Sequence, residues 1–299
     1  MKKKILSAAA AGMLAISLTA PALAADFTDT EGHWAASQIS RWSDLGVISG
    51  YDGKFNPNAS ITRGDMAVIL DRIMGYQTRA VNSFTDLSDS AYYAAAVLGA
   101  NAAGVLSGDG TTVRPTAPIT RQEACVLIGR ALAVPTATDV SQFSDADQIA
   151  SWARGYVAGL ASRGIVSGSN GKFHPTAPIT RAEAVTIFHN AIAALVQSEG
   201  KYYNVDTMET VIVRAPGVQI KQSTIYRDLI LAEGIGNGEV TLSNVTIVGN
   251  LIVRDGSKIT LNNVELYGDK KIENGAVIEI IHVEDNDNGS IIVTPPEDE

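Results

Sequence analysis

Apolar residues recur at two different periods along this chain. Up to about residue 198 the spacing is helical: Trp34, Ile39 and Trp42 in one stretch, Tyr92 and Val97 in a second, Trp152 and Val157 in a third. Each stretch predicts an amphipathic helix. Every one follows a Phe-x-Asp tripeptide (Phe27-Thr28-Asp29, Phe84-Thr85-Asp86, Phe143-Ser144-Asp145) and ends in a glycine-bounded segment, Gly46 to Gly50, Gly104 to Gly108 and Gly164 to Gly168. The first glycine of each is placed to cap a helix, and the second opens a loop expected to need positive φ. The chain then passes a proline (Pro57, Pro115, Pro175) and enters Ile61-Thr62-Arg63, Ile119-Thr120-Arg121 or Ile179-Thr180-Arg181. An acid follows two positions after each Arg (Asp65, Glu123, Glu183), and a second helix begins, such as Met66 to Ile73. Thr with an acid three residues later is a capping box, and the preceding Ile with Met66, Ala124 or Ala184 fits a hydrophobic staple. A helix-loop-helix unit of this size buries little by itself, so the three are expected to pack together.

From about residue 209 the apolar positions alternate instead: Val211 and Val213, Val218 and Ile220, Val240 and Leu242, Val245 and Ile247. Alternation predicts strands. Residues 240–256 match 259–275, with Leu242 on Leu261, Asn244 on Asn263, Val245 on Val264, Gly249 on Gly268 and Gly256 on Gly275. Ile220, Ile225, Leu229, Leu231 and Gly234 fit the same frame one repeat earlier, and Ile278 and Ile280 begin a partial further copy. Short repeats of this kind predict coils of a parallel β-helix. Gln222, Asn244 and Asn263 would stack as an amide ladder, facing inward or lining a turn.

Composition narrows the function. Lys2-Lys3-Lys4, an apolar stretch and Ala22-Leu23-Ala24 read as a secretory signal over residues 1–24, with an apolar core too short to span a membrane. The net charge of −9 disfavours nucleic acid and offers no basic patch to anionic lipid. The single Cys125 cannot form a disulfide framework and reads as a small buried hydrophobe. His33, His174, His189 and His282 are scattered without metal-ligand spacing, and Glu284-Asp285-Asn286-Asp287 lacks the spacing of a calcium loop. No metal, cofactor or catalytic residue is therefore expected. Polysaccharide-degrading enzymes use β-helices, but fold does not establish activity, and Asp255, Asp269 and Glu273 read as solvated turn acids.

The arginines are left unexplained by helix initiation. Arg63, Arg121 and Arg181 fall at the first helical position, where the macrodipole disfavours a cation. They serve either to bind an anion at the helix N-terminus, where a guanidinium fork matches a carboxylate, or to pair with a carboxylate of a neighbouring repeat.

The combination of Phe-x-Asp, His33-Trp34-Ala35, Gly-Val-Ile-x-Gly, Phe55-x-Pro57 and Ile-Thr-Arg resembles the S-layer homology domain over roughly residues 26 to 195, in three tandem copies. The resemblance implies an all-α bundle of three repeats with pseudo-three-fold symmetry, here followed by an all-β short parallel β-helix or solenoid. It also implies inter-repeat grooves that bind pyruvylated secondary cell wall polysaccharide, with the Arg of the last motif on the pyruvate carboxylate. Carried over residue by residue, the binding set is Arg63, Arg121 and Arg181, Asp29, Asp86 and Asp145, Trp34 and Trp152, and Gly50, Gly108 and Gly168. The second repeat departs, with Ala91-Tyr92 and Val113 where the first has His33-Trp34 and Phe55, so its groove is expected to bind differently or not at all.

The expected division is 1–24 signal peptide, 26–78, 83–136 and 142–197 for the repeats, 198–208 a linker, 209–294 the β-helix-like domain and 295–299 an acidic tail. The expected protein is non-catalytic, secreted and held at the cell wall or S-layer, without membrane insertion. Its alternative is a structural S-layer or spacer protein that self-associates, or meets a protein partner, through the β-helix. A tethered outer-membrane barrel is disfavoured because the C-terminal region lacks the many long amphipathic strands a barrel needs.

Overall fold

The computed structural model describes residues 27–273, 279–285 and 291–294. The expected signal peptide, the acidic tail and Ile278 lie outside the described residues. The six predicted helices are present: α1 (Ala36–Asp44), α2 (Arg63–Met74), α3 (Ala94–Ala102), α4 (Arg121–Ala131), α5 (Ser151–Ser162) and α6 (Arg181–Ala191). Thr62, Thr120 and Thr180 cap the second helix of each repeat, accepting from the N–H of the acid three residues on. Glu123 and Glu183 complete reciprocal capping boxes.

The three Ile residues of the motif close the bundle on itself. The Ile61 N–H donates to the Ile179 carbonyl (3.1 Å), Ile119 to Ile61 (3.0 Å) and Ile179 to Ile119 (3.1 Å), and all three side chains are buried. The next N–H groups are taken by the following repeat's loop. Arg63 donates to Ala117, and Gly64 to Pro115; Arg121 donates to Ala177, and Gln122 to Pro175; Arg181 donates to Ala59, and Ala182 to Pro57. The carbonyl of each motif proline thus satisfies a helix end that would otherwise need a separate partner. Each second helix packs on the first helix of the next repeat, α2 on α3, α4 on α5 and α6 on α1. The result is a closed ring of three units around one core.

The glycines divide differently from expectation. Gly46, Gly104 and Gly164 adopt φ of 67°, 68° and 71° just past their helices, as helix caps do. Gly50, Gly108 and Gly168 have ordinary φ. A Cβ there would lie 2.1–2.3 Å from the carbonyl oxygens of Lys54, Thr112 and Lys172, beside the rings of Phe27, Phe84 and Phe143. Crowding, rather than left-handed backbone, requires glycine at these three positions.

The C-terminal part is a parallel β-solenoid. One sheet is five-stranded, in the order β1 (Ile192–Val196), β3 (Thr210–Val213), β5 (Leu229–Leu231), β7 (Leu251–Val253), β9 (Lys270–Ile272). The other is six-stranded, in the order β11 (Ile291–Thr294), β10 (Glu279–Asp285), β8 (Lys258–Leu266), β6 (Glu239–Ile247), β4 (Val218–Ile225), β2 (Gly200–Tyr203). All pairs are parallel except β10 with β11, which is antiparallel. Leu242 pairs with Leu261 and Val245 with Val264, the register read from the sequence repeat. Gln222, Asn244 and Asn263 take φ near 50° and face outward at a bend within β4, β6 and β8, so the amide ladder lines the outside of a corner. Asn263 donates to the Asn244 oxygen at 2.7 Å.

Two features differ from the pattern-based division. Strands β1 and β2 occupy the end of the third repeat and the expected linker; helix α6 passes into β1 without an intervening loop. The inner strands β3, β5 and β7 of the five-stranded sheet are also buried on both faces. Val211, Val213, Leu229, Leu231, Leu251 and Val253 fill the solenoid interior, while Ile212, Ile230 and Ile252 belong to the core of the helical bundle. Polar contacts fasten the same junction. Arg254 donates to the carbonyls of Ala131 (2.6 Å) and Arg130 (3.3 Å) at the end of α4, and Arg163 pairs with buried Asp228 at 3.0 Å. Arg41 of α1 donates to the carbonyl of Ala193 in β1.

Candidate site: three inter-repeat grooves

Each motif arginine sits at the first position of its helix but sends its guanidinium into the loop of the next repeat. Arg63 donates from Nε to the Val113 carbonyl (2.9 Å), from Nη2 to Ser107 (3.2 Å) and from Nη1 to Glu123 (3.2 Å). Arg114 also pairs with Glu123, at 2.9 Å. Arg121 donates from Nη2 to Ser167 and from Nη1 to Glu183, both at 2.9 Å, and lies over the Phe173 ring. Its Nε is buried without a partner. Arg181 donates from Nε to Phe55 and from Nη2 to Ser49, both at 2.8 Å, with its guanidinium 4.4 Å from the Phe55 ring centroid.

The third arginine has no carboxylate within ion-pair distance, although Asp65 and Asp29 attract it through space. Among the described residues Arg181 makes no ion pair, and its Nη1 makes no hydrogen bond. The cause is local. The acid equivalent to Glu123 and Glu183 is Asp65, shorter by one methylene, and its two oxygens are engaged by the hydroxyls of Thr62 and Tyr92. Burial first, then the hydrogen bond to Asp65, pushes the Tyr92 phenol up to about 12.

The expected anion site at the helix N-terminus itself is closed, because the first N–H groups of α2, α4 and α6 are satisfied within the ring. A groove remains open beside the guanidinium of Arg63. The Arg63 groove is a cavity of about 320 Å³ lined by Ser107, Gly108, Glu123, Arg130 and Trp152. Repeat equivalence places Trp34 at the Arg121 groove and Tyr92 at the Arg181 groove, and all three aromatics are exposed. The buried tryptophan is Trp42, which packs in the core against Phe188. The two departures of the second repeat therefore fall in different grooves: Tyr92 alters that of Arg181, and Val113, whose carbonyl accepts from Arg63, alters that of Arg63.

The aspartates hold the groove walls. Asp29 accepts from the N–H of Phe55 (2.8 Å) and Asn56 (2.7 Å), Asp86 from Val113 (2.9 Å) and Arg114 (2.8 Å), and Asp145 from Phe173 (2.7 Å) and His174 (2.9 Å). The second residue of each pair has φ between 50° and 59°, a conformation that this clamp maintains. Burial raises the Asp29 and Asp145 carboxyls, but their backbone N–H donors outweigh it and both sit below the ordinary aspartate value. The acid at position 65, 123 or 183 is more than the cap that its own repeat predicts. It also decides whether its neighbour's arginine is neutralised, a role that the Asp-for-Glu difference signals once the repeats are known to close in a ring.

Residues 26–67, 83–125 and 142–185 each match the S-layer homology domain. That part of the chain belongs to this family, in three tandem copies. The chain is 28% identical over 232 residues to the surface-layer 125 kDa protein of Lysinibacillus sphaericus, covering 74% of this chain and 19% of that one. It is 27% identical over 258 residues to an S-layer protein of Bacillus licheniformis, covering 83% and 28%. It is 32% identical over 174 residues to an amylopullulanase of Thermoanaerobacterium thermosulfurigenes, covering 56% and 9%. The chain thus spans less than a third of the length of each of these relatives. The repeats and the S-layer relatives make it a cell-surface, S-layer-associated protein. No helix among the described residues is long and apolar enough to cross a membrane.

Proposed function

We propose that this protein is held to the cell wall by pyruvylated secondary cell wall polysaccharide, and that its principal anion contact is Arg181. The observation that carries the reading is the free Nη1 of Arg181 where Arg63 and Arg121 each have a glutamate. A ligand carboxylate there takes the place that Glu123 and Glu183 fill in the other two grooves. The backbone carbonyls of Phe55 and Ser49 fix the guanidinium plane, so the anion meets a preorganised donor. Tyr92 offers a ring face to a sugar beside it. In this reading Asp29, Asp86 and Asp145 shape the grooves, and the crowded glycines Gly50, Gly108 and Gly168 let the loop pass close; neither set touches the polymer. Trp34 and Trp152 offer exposed rings to sugar residues at the other two grooves.

The role is non-catalytic. The likeness to the amylopullulanase covers 56% of this chain and only 9% of the enzyme, a share that points to a common anchoring region.

The test is co-sedimentation with purified walls, before and after chemical removal of the secondary polymer, using single Arg→Ala variants checked by circular dichroism. Arg181→Ala is expected to weaken binding about tenfold or more, ~1.4 kcal/mol, while keeping its fold. Arg181→Lys is expected to restore only part of the loss, since an ammonium cannot reproduce the planar fork. Parent-like binding by Arg181→Ala, or binding that survives polymer removal, would sink the proposal.

A further inference from the structure

The solenoid carries an exposed column that neither its core nor its junction with the bundle explains. Tyr226, Val248 and Tyr267 directly follow the paired residues Ile225, Ile247 and Leu266, and Met208 precedes them by the bridge of Thr207 to Ile225. Four successive coils therefore place a large apolar side chain at one corner. Their exposures are 66% for Met208, 49% for Tyr226, 41% for Val248 and 73% for Tyr267. Exposed apolar residues scattered singly need no explanation, but a column in register across four coils does.

Parallel to it runs the outward amide column of Gln222, Asn244 and Asn263. Between the two, the outward positions are Asp206, Thr224, Thr246 and Glu265, with no cation among them. At the border, Arg227 faces Glu209 at 3.9 Å. The strip between these two corners is thus uncharged along its middle and acidic at its ends. Its rungs are ~4.8 Å apart and four residues separate the columns at ~3.3 Å each, giving roughly 13 by 14 Å.

We infer that this strip binds a neutral polysaccharide strand, with the apolar column under sugar rings and the amide and threonine columns donating and accepting at hydroxyl or acetamido groups. Size and charge select this occupant. An area of roughly 200 Å², from those spacings, is well below the roughly 800 Å² per partner of a specific protein interface. An anionic polymer would meet Asp206 and Glu265, while the bordering cation Arg227 already faces Glu209. The strip therefore complements the groove of Arg181, which suits the opposite ligand charge. The paired strands hold the amide and threonine rungs and anchor the bends that carry the apolar column, so a strand of sugars meets a surface that loses little entropy on contact.

The test is titration calorimetry of the full chain with chitohexaose and with cellohexaose. Binding of one or both is expected, weakened about tenfold or more by Tyr226→Ala or Tyr267→Ala. Asn263→Gly removes an amide while tolerating the positive φ at that position, and should weaken binding with the fold intact. Arg181→Ala should leave this binding unchanged, which separates it from the wall-polymer reading. The inference falls if neither oligosaccharide binds, if the tyrosine variants bind like the parent, or if Arg181→Ala abolishes binding. It also falls if sedimentation shows a self-association that Tyr267→Ala removes, because the strip would then receive a second copy.

Discussion

Asp65 is where one methylene changes what an arginine is free to do. Glu123 and Glu183 reach both their own cap and the neighbouring guanidinium, whereas Asp65 stays with Thr62 and Tyr92. Asp65→Glu should therefore supply Arg181 with an internal partner. The expected result is tighter packing of the third repeat on the first together with weaker wall-polymer binding, read by thermal melting and co-sedimentation on the same sample. Unchanged binding would mean that the free Nη1 is not the contact. Arg63→Ala should behave in the opposite way. It strips a buried ion pair and two loop carbonyls of their donor, and is expected to destabilise by about 3 kcal/mol with little direct effect on polymer contact. The aspartate clamps add a pH dependence. A carboxyl held below its ordinary value stabilises the fold fully above about pH 4, and that contribution is lost as pH falls through the native value. Asp145→Asn keeps one acceptor and removes the titration. It should be less stable than the parent at neutral pH by about 1–3 kcal/mol, with the gap closing in acid; a constant gap would show that the carboxylate charge contributes nothing.

At the scale of elements, the second helix of each repeat is specified more strongly than the first. α2, α4 and α6 have a threonine cap, an acid three residues on and two N–H groups satisfied by the next repeat, while α1, α3 and α5 have no side-chain cap. Thr120→Ala removes one half of a reciprocal box and should cost about 1 kcal/mol, measured by denaturant unfolding. Helix positions, caps and the coil register of the solenoid were legible because each follows from local spacing, as Leu242 on Leu261 shows. Three things were not. Gly50, Gly108 and Gly168 looked like turn glycines, but their constraint is a carbonyl from across the loop, which no local pattern records. Ala191 to Val196 reads as a helix continuing, yet Ile192 turns extended because β3 supplies parallel partners from Thr210 onward. The arginines were correctly singled out as lacking a helical reason. Pairing with a carboxylate of a neighbouring repeat is among the sequence's two readings and holds for Arg63 and Arg121. The loop carbonyls are not legible, since each lies in another repeat, and for Arg181 the loop is that of the first.

At the scale of the whole molecule, the ring and the solenoid share a core. Ile212, Ile230 and Ile252 present one face of a sheet to the helices while Val211, Leu229 and Leu251 present the other to the solenoid interior, so neither core is complete without the same strands. Burial of one such isoleucine contributes about 1.5–3 kcal/mol, and the three together rival the net stability of a small domain. The buried pair of Arg163 with Asp228 and the carbonyls held by Arg254 add groups that are costly to separate in water-poor surroundings. The two parts should consequently unfold together. Heating the full chain is expected to give one midpoint by far-ultraviolet circular dichroism, which reports the helices, and by hydrogen exchange of the solenoid strands. Ile230→Asp places an unpaired charge in the shared layer and should lower both signals in step, even though the residue belongs to the solenoid alone in sequence. Two separate midpoints, or an Ile230→Asp variant whose helices melt like the parent's, would show that the parts are independent modules in contact. A single transition also has a functional consequence. Load applied to the solenoid would pass through this layer into the ring without a flexible joint between.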